Sequence, residues 1–145
     1  MTDLTVNIEK TIHAPIERVY DAWLDPSLVA QWFAPPPMRA EVQTLEAEAG
    51  GSYRIDMVPP EGPIMTVTGT YETLERPRRL VFGWDWGEIS EAPSQVEVNF
   101  SATDGGTRLV LEHRRLAPPA VEAHADGWVG ILSAFTAAMT AASES

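Results

Sequence analysis

Cysteine is absent from this 145-residue sequence. That excludes disulfides, thiolate nucleophiles and cysteine-ligated zinc or iron–sulfur sites together. Positive charge is scarce: 10 Lys and Arg stand against 21 Asp and Glu, a formal net charge of -11, and the cations group only around Arg76–Arg79 and Arg114–Arg115. Such a surface repels a phosphate backbone, so neither nucleic acid nor an anionic membrane is an expected partner. No apolar run approaches the ~20 residues that a spanning helix needs. Asp3 and Glu9 interrupt any signal-like core near the start. The three histidines, His13, His113 and His124, include no pair four apart on a helix, so no metal site is expected. Neither a Gly-x-Ser-x-Gly elbow nor a phosphate-cradling Gly-Lys-Ser or Gly-x-Gly-x-x-Gly run occurs, which argues against a hydrolase and against nucleotide cofactors. The expectation is one cytoplasmic domain, residues 1–145, without a cofactor and large enough to hold its own core.

What is present is patterned. Leu4, Val6, Ile8 and Ile12 follow a period of two, which predicts a strand with one buried face. Pro15 suits a first helical turn, and Val19, Tyr20, Trp23 and Leu24 make the apolar stripe of a short helix. Asp25-Pro26-Ser27 interrupts it before a second helix carrying Leu28, Val29, Trp32 and Phe33, and Ala34-Pro35-Pro36-Pro37 forces an extended loop. From about Glu41 to Arg115 the period is two again: Tyr53–Met57, Met65–Tyr71, Leu80–Trp86, Val96–Phe100 and Leu109–His113 alternate with polar or small residues. Gly50-Gly51, Pro59–Pro63, Arg76-Pro77 and Asp104–Gly106 separate the runs as turns, which predicts an antiparallel meander of about six strands. Val121, Ala125, Trp128, Leu132, Phe135, Met139 and Ala142 then recur every three or four residues, the stripe of one long helix that Pro118 and Pro119 can begin. The fold class is α+β, a curved antiparallel sheet of about seven strands wrapped around a long C-terminal helix.

The segments Thr11–Trp23, Asp25-Pro26, Gln31–Phe33, Gly50–Tyr53, Gly69–Glu72, Pro77–Trp84, Gly106–Leu109, Glu112-His113 and Gly127-Trp128 stand in an order that resembles the activator of heat-shock protein 90 ATPase homologue family. That family lies within the START-like (birch-pollen-allergen-like, SRPBCC) superfamily. The resemblance implies a helix-grip fold with a cavity between sheet and helix. It agrees with the architecture argued from periodicity.

Tryptophan and methionine are the natural linings of such a space, adaptable and poor in polar atoms. The expected ligand is a small, largely apolar molecule contacted by Trp32, Met57, Met65, Trp84, Val98, His113, Trp128 and Leu132. His113 shares the inner face with Leu109 and Leu111. It is either a satisfied core histidine, bonded to a backbone carbonyl or to Tyr71, or the polar anchor or acid–base group of a site. The acidic stretch Asp85–Pro93, with Trp86 and Ile89, is a solvated hairpin turn or a lid, and Pro35–Pro37 borders the same mouth. Two other functions compete. The superfamily includes polyketide cyclases and aromatases, which need several polar groups inside; Arg54 and Asp56 should instead point outward. Chaperone association, from the family name, ranks behind, because the eukaryotic relatives carry an additional N-terminal domain with no counterpart in these 145 residues. An edge strand would also permit pairing with a second copy.

Overall fold

Period-two spacing becomes strand wherever one face has something to bury against. A computed structural model describes residues 4–87, 93–116 and 120–144. In it β1 (Leu4–Ile12) is followed by α1 (Ile16–Asp21) and α2 (Pro26–Trp32). Six strands come next, β2 (Arg39–Leu45), β3 (Ser52–Val58), β4 (Met65–Glu75), β5 (Arg79–Trp84), β6 (Ser94–Thr103) and β7 (Gly106–Leu116), and then α3 (Val121–Glu144). The seven strands form one antiparallel sheet in the order β1-β7-β6-β5-β4-β3-β2. Its two edges are flanked, with α2 against β2 and α3 against β1.

Local chemistry sets the helix boundaries. Asp25 caps α2, its Oδ1 accepting from the Ser27 amide at 2.9 Å and the Leu28 amide at 3.4 Å, while Pro26 occupies the first turn where no amide hydrogen is needed. The same Asp-Pro pair that interrupts the first helix therefore starts the second. Pro15 precedes α1 as its N-cap rather than lying inside the first turn. Arg76 clamps Asp21 with two hydrogen bonds of 2.7 and 2.9 Å, tying the β4–β5 turn to the end of α1. Along α3, Trp128, Leu132, Phe135 and Met139 are buried as the stripe requires, joined by Ile131. Ile89, Pro118 and Pro119 lie outside the described residues, as does the side chain of Ala142.

The sheet bends by three bulges. Pairing slips between Val42 and Thr44, between Tyr71 and Thr73, and between Leu4 and Val6 opposite Arg114–Arg115. Each slip moves the apolar register by one, so inward residues run Val42 then Leu45, Tyr71 then Leu74, and His113 then Leu116. Arg115 takes a left-handed φ of 65° within its bulge and is thereby kept off the inner face that strict alternation would assign it. A fourth device is Gly69. A Cβ there would meet the Gly83 carbonyl oxygen at 2.1 Å and the Tyr53 ring at 2.6 Å. The Tyr53 ring covers this glycine, and its hydroxyl donates to the Gly83 carbonyl at 2.6 Å. Backbone cannot yield by that much, so Gly69→Ala should lower stability by more than about 2 kcal/mol in urea unfolding. A loss below about 0.5 kcal/mol would mean that β4 and β5 are not in this close contact.

Candidate functional site

The face of the sheet that holds α3 is filled with rings. Trp23 sits in the turn after α1, held by backbone hydrogen bonds that the Trp23 and Leu24 amides donate to the Tyr20 and Asp21 carbonyls. Trp32 ends α2 and Phe33 caps it, Trp84 ends β5, and Trp128 lies one turn before Leu132 on α3. Their ring centroids are close: Trp23–Trp32 4.6 Å, Trp32–Phe33 5.2 Å, Phe33–Trp84 5.8 Å, Trp84–Trp128 5.1 Å and Trp23–Trp128 6.2 Å. Trp23–Trp32 meets edge to face, Phe33–Trp84 and Trp23–Trp128 are stacked, and the other two pairs are tilted. The order of elements explains the meeting, because α1 and α2 cross the mouth of the sheet while β5 and α3 supply its floor and roof.

These rings leave little space. A void of about 10 Å³ lies between the sheet and the α1–α2 segment, lined by Trp23, Val29, Phe33, Leu45, Tyr53, Ile55, Tyr71, Leu80 and Phe82, with no α3 residue among them. That is room for roughly one water. None of the eight expected contact residues borders it. Trp32, Trp84, His113 and Trp128 do come together in the ring cluster, and Leu132 follows Trp128 on the same face. Val98 lies in β6 opposite Leu80 and Leu111, and Met57 and Met65 face each other at the hairpin end of β3 and β4, with Met65 only half-buried. Trp23 and Phe33 are the central residues that the expected set omitted, although both carried an inward spacing in the sequence.

His113 is a satisfied core histidine, with partners other than those expected. The Trp128 indole donates to its Nδ1 at 2.9 Å, and its Nε2 lies 2.6 Å from Ser94 Oγ, which donates in turn to the Trp84 carbonyl at 3.3 Å. An indole can only donate, so Nδ1 is the acceptor and Nε2 carries the hydrogen. This settles what the Ser94–His113 pair can do. A serine nucleophile needs a basic Nε2, whereas here Nε2 is a donor, and burial followed by the neighbouring His124 pushes the imidazole down to about 3. Neither nitrogen is left over for a ligand. Beside it, Trp86 donates to His124 Nε2 at 2.9 Å, while His124 Nδ1 lies 2.8 Å from the Ala120 carbonyl. The start of the acidic stretch is thus tied to α3; the strand itself ends at Trp84.

The polar groups that an enzyme of this shape would use face the other way. Arg54 is exposed, and Asp56 accepts from Thr66 and Gln43 on the outer face. There the sheet carries a broad hollow of about 650 Å³, with Ser52, Arg54, Thr68, Thr70, Gln95 and Arg115 among its lining. Alternation marked all of these but Arg115 only as solvated, and it set Arg115 on the inner face, so the sequence held no signal for the hollow. Among the described residues no group of three or more His, Asp or Glu stands close enough to hold a metal, and no helix is long and apolar enough to cross a membrane.

With this geometry in hand, a family model described as Activator of Hsp90 ATPase homolog 1-like protein matches residues 13–140. The chain belongs to that family. Among solved structures, this Hsp90-activator-homologue-like chain is similar to protein CV1439 from Chromobacterium violaceum (TM-score 0.87, 23% identity, covering 92% of this chain and 94% of that one). It is also similar to the AHSA1 (SPO3351) protein from Silicibacter pomeroyi (0.83, 23%, covering 94% and 98%) and to CalU16 from Micromonospora echinospora (0.73, 23%, covering 94% and 76%). At these identities the likeness establishes the fold, the START-like helix grip. No curated protein matches. These structures share the overall fold with this chain.

The state of His113 can be read directly. In an unfolded chain its imidazole takes a proton near 6.5; in the fold it resists until about 3. Below pH 6.5 the unfolded state binds a proton that the fold refuses, so stability falls from there toward pH 3 by up to about 1.4 kcal/mol per pH unit. Glu97 adds a second loss: Arg79 first, then Asn99 and Arg114, hold its carboxylate down to about 2, so its contribution disappears as pH drops from 4.5 toward 2. Imidazole nitrogen NMR should show His113 as the neutral Nε2–H form from pH 8 to pH 5; an imidazolium signature at pH 6 would contradict the arrangement.

Proposed function

We propose that this protein binds a small, largely apolar ring compound between its sheet and α3, among Trp23, Trp32, Phe33, Trp84 and Trp128. The observation that carries this reading is the ring cluster itself. Its members come from three separate parts of the fold, the α1–α2 crossing, β5 and α3, and they meet through side chains alone. Parting them breaks no strand pairing. Each aromatic pair is worth only about 0.5–1.5 kcal/mol beyond burial, and an inserted ring replaces the contacts it displaces. The void of about 10 Å³ beside Trp23 and Phe33 gives the packing a place to start opening. The interior described above is therefore the closed state, and the ligand selects the open one. Met57, Met65, Val98 and Leu132 form the outer wall of the opened space.

The two rivals have less support. Arg54 and Asp56 face solvent, so the interior lacks the polar set a cyclase would use. Chaperone association is supported by the family's description, but the large apolar residues exposed among the described ones, Ile64 and Val129, are two isolated side chains rather than a patch.

Naphthalene is a suitable first probe. Saturable quenching of tryptophan fluorescence is expected, with a rise in Tm of several degrees once the probe reaches about 100 times its Kd, where linkage supplies about 2.7 kcal/mol. Trp84→Ala should weaken binding at least fivefold. Absence of saturable binding, together with a bare-chain mass in native mass spectrometry of the freshly purified protein, would remove this reading.

A further inference from the structure

The five tryptophans divide into two kinds. Trp128 and Trp86 give their indole hydrogens to His113 and His124. Trp23, Trp32 and Trp84 are buried with their Nε1–H groups unpartnered, and so is the hydroxyl of Tyr20. Buried donors are normally paired, and each unpaired one costs about 1–3 kcal/mol. Surrounding ring faces offer at most a weak N–H···π contact. Phenylalanine or leucine would carry no such penalty. The three indoles also belong to one contiguous cluster: Trp23 touches Trp32, both touch Phe33, and Phe33 stacks on Trp84. Tyr20 joins through Phe100, which contacts Trp23 as well.

Resting on the reading of this interior as a ligand site, we infer that the ligand is a neutral carbonyl-bearing ring compound whose oxygen, with two lone pairs, accepts hydrogen bonds from two of the three indole N–H groups of Trp23, Trp32 and Trp84. The donor set explains the oxygen. The lack of compensating charge explains the neutrality: among the described residues the buried polar ones are Ser94, Thr107 and His113, with no buried cation to pair a carboxylate. An ionised acid would enter without a partner, at a cost that donors alone do not offset. A plain hydrocarbon would enter but leave the three hydrogens as orphaned as before.

Three molecules of nearly the same shape separate these cases: tetralin, 1-tetralone and 1,2,3,4-tetrahydro-1-naphthoate. Each is titrated into the intact protein, with tryptophan fluorescence for affinity and indole ¹H–¹⁵N NMR for the donors. The expected result is that 1-tetralone binds at least tenfold tighter than tetralin, despite being less apolar, and that the naphthoate binds weakest. Two of the three Nε1–H signals of Trp23, Trp32 and Trp84 should move downfield with the ketone, and those of Trp86 and Trp128 should stay. Trp32→Phe keeps a ring and removes one donor, so it should narrow the ketone-to-hydrocarbon ratio; the NMR on the unaltered chain stands whether or not that variant folds. Tetralin binding as tightly as 1-tetralone, or a bound ketone that leaves the three signals in place, overturns the acceptor inference while the interior site survives. Tightest binding by the naphthoate overturns the neutrality. Failure of all three to bind removes the inference and the proposed function together.

Discussion

How tightly the sheet can be wound about α3 governs everything else in this protein. Seven strands left flat would touch one helix along a single line; here they reach round it because one strand of a pair is lengthened at chosen points. The slips beside Gln43, Glu72 and Arg114–Arg115 each add a residue to one strand of a pair. At Gly69 the backbone of β4 comes so near β5 that only a hydrogen fits, and Tyr53 lays its ring over the gap. The inner radius produced in this way is small. Rings from α1–α2, β5 and α3 are therefore pressed into mutual contact.

Much of the fold was legible because nearly every strand has one dry face. Alternation over Tyr53–Met57, Leu80–Trp84, Val96–Phe100 and Leu109–His113 marks β3, β5, β6 and β7 unambiguously, and the three-four spacing from Trp128 to Met139 marks α3. The bulges were less visible, yet they left a trace: inward residues three apart inside a strand pattern, as in Val42–Leu45, Tyr71–Leu74 and His113–Leu116. A helix shows the same interval, which is why it is easily passed over. The site was legible only in part. Spacing places Trp32, Trp84, Trp128 and His113 on the inner face, but it carries no information on whether they enclose a space or fill it. That depends on the curvature, which single-residue slips decide. Ser94, next to Pro93 at a strand start, reads as a turn residue, and nothing local reveals that it meets His113 nineteen positions away.

The interior shows two ways of treating a buried polar group. Around His113 each donor has an acceptor, and that region fixes the relation of β6, β7 and α3. Around Phe33 the indole hydrogens of Trp23, Trp32 and Trp84 have none. The two regions share Trp84 and Trp128 as neighbours, so the well-satisfied part braces the part that is not. Stability is concentrated in the first and forgone in the second, the distribution expected where a fold keeps one face of its core available for rearrangement.

The chain from Trp128 through His113 and Ser94 to the Trp84 carbonyl also has a direction. Its first member has a hydrogen and no lone pair to offer, and its last has lone pairs and no hydrogen. Histidine and serine are ambidextrous groups, able to face either way, but between such ends they have no choice. Every hydrogen in the series points from α3 toward β5. The helix thus docks with a polarity as well as a shape, and a displacement that preserved the packing but reversed one link would set two hydrogens, or two lone pairs, against each other.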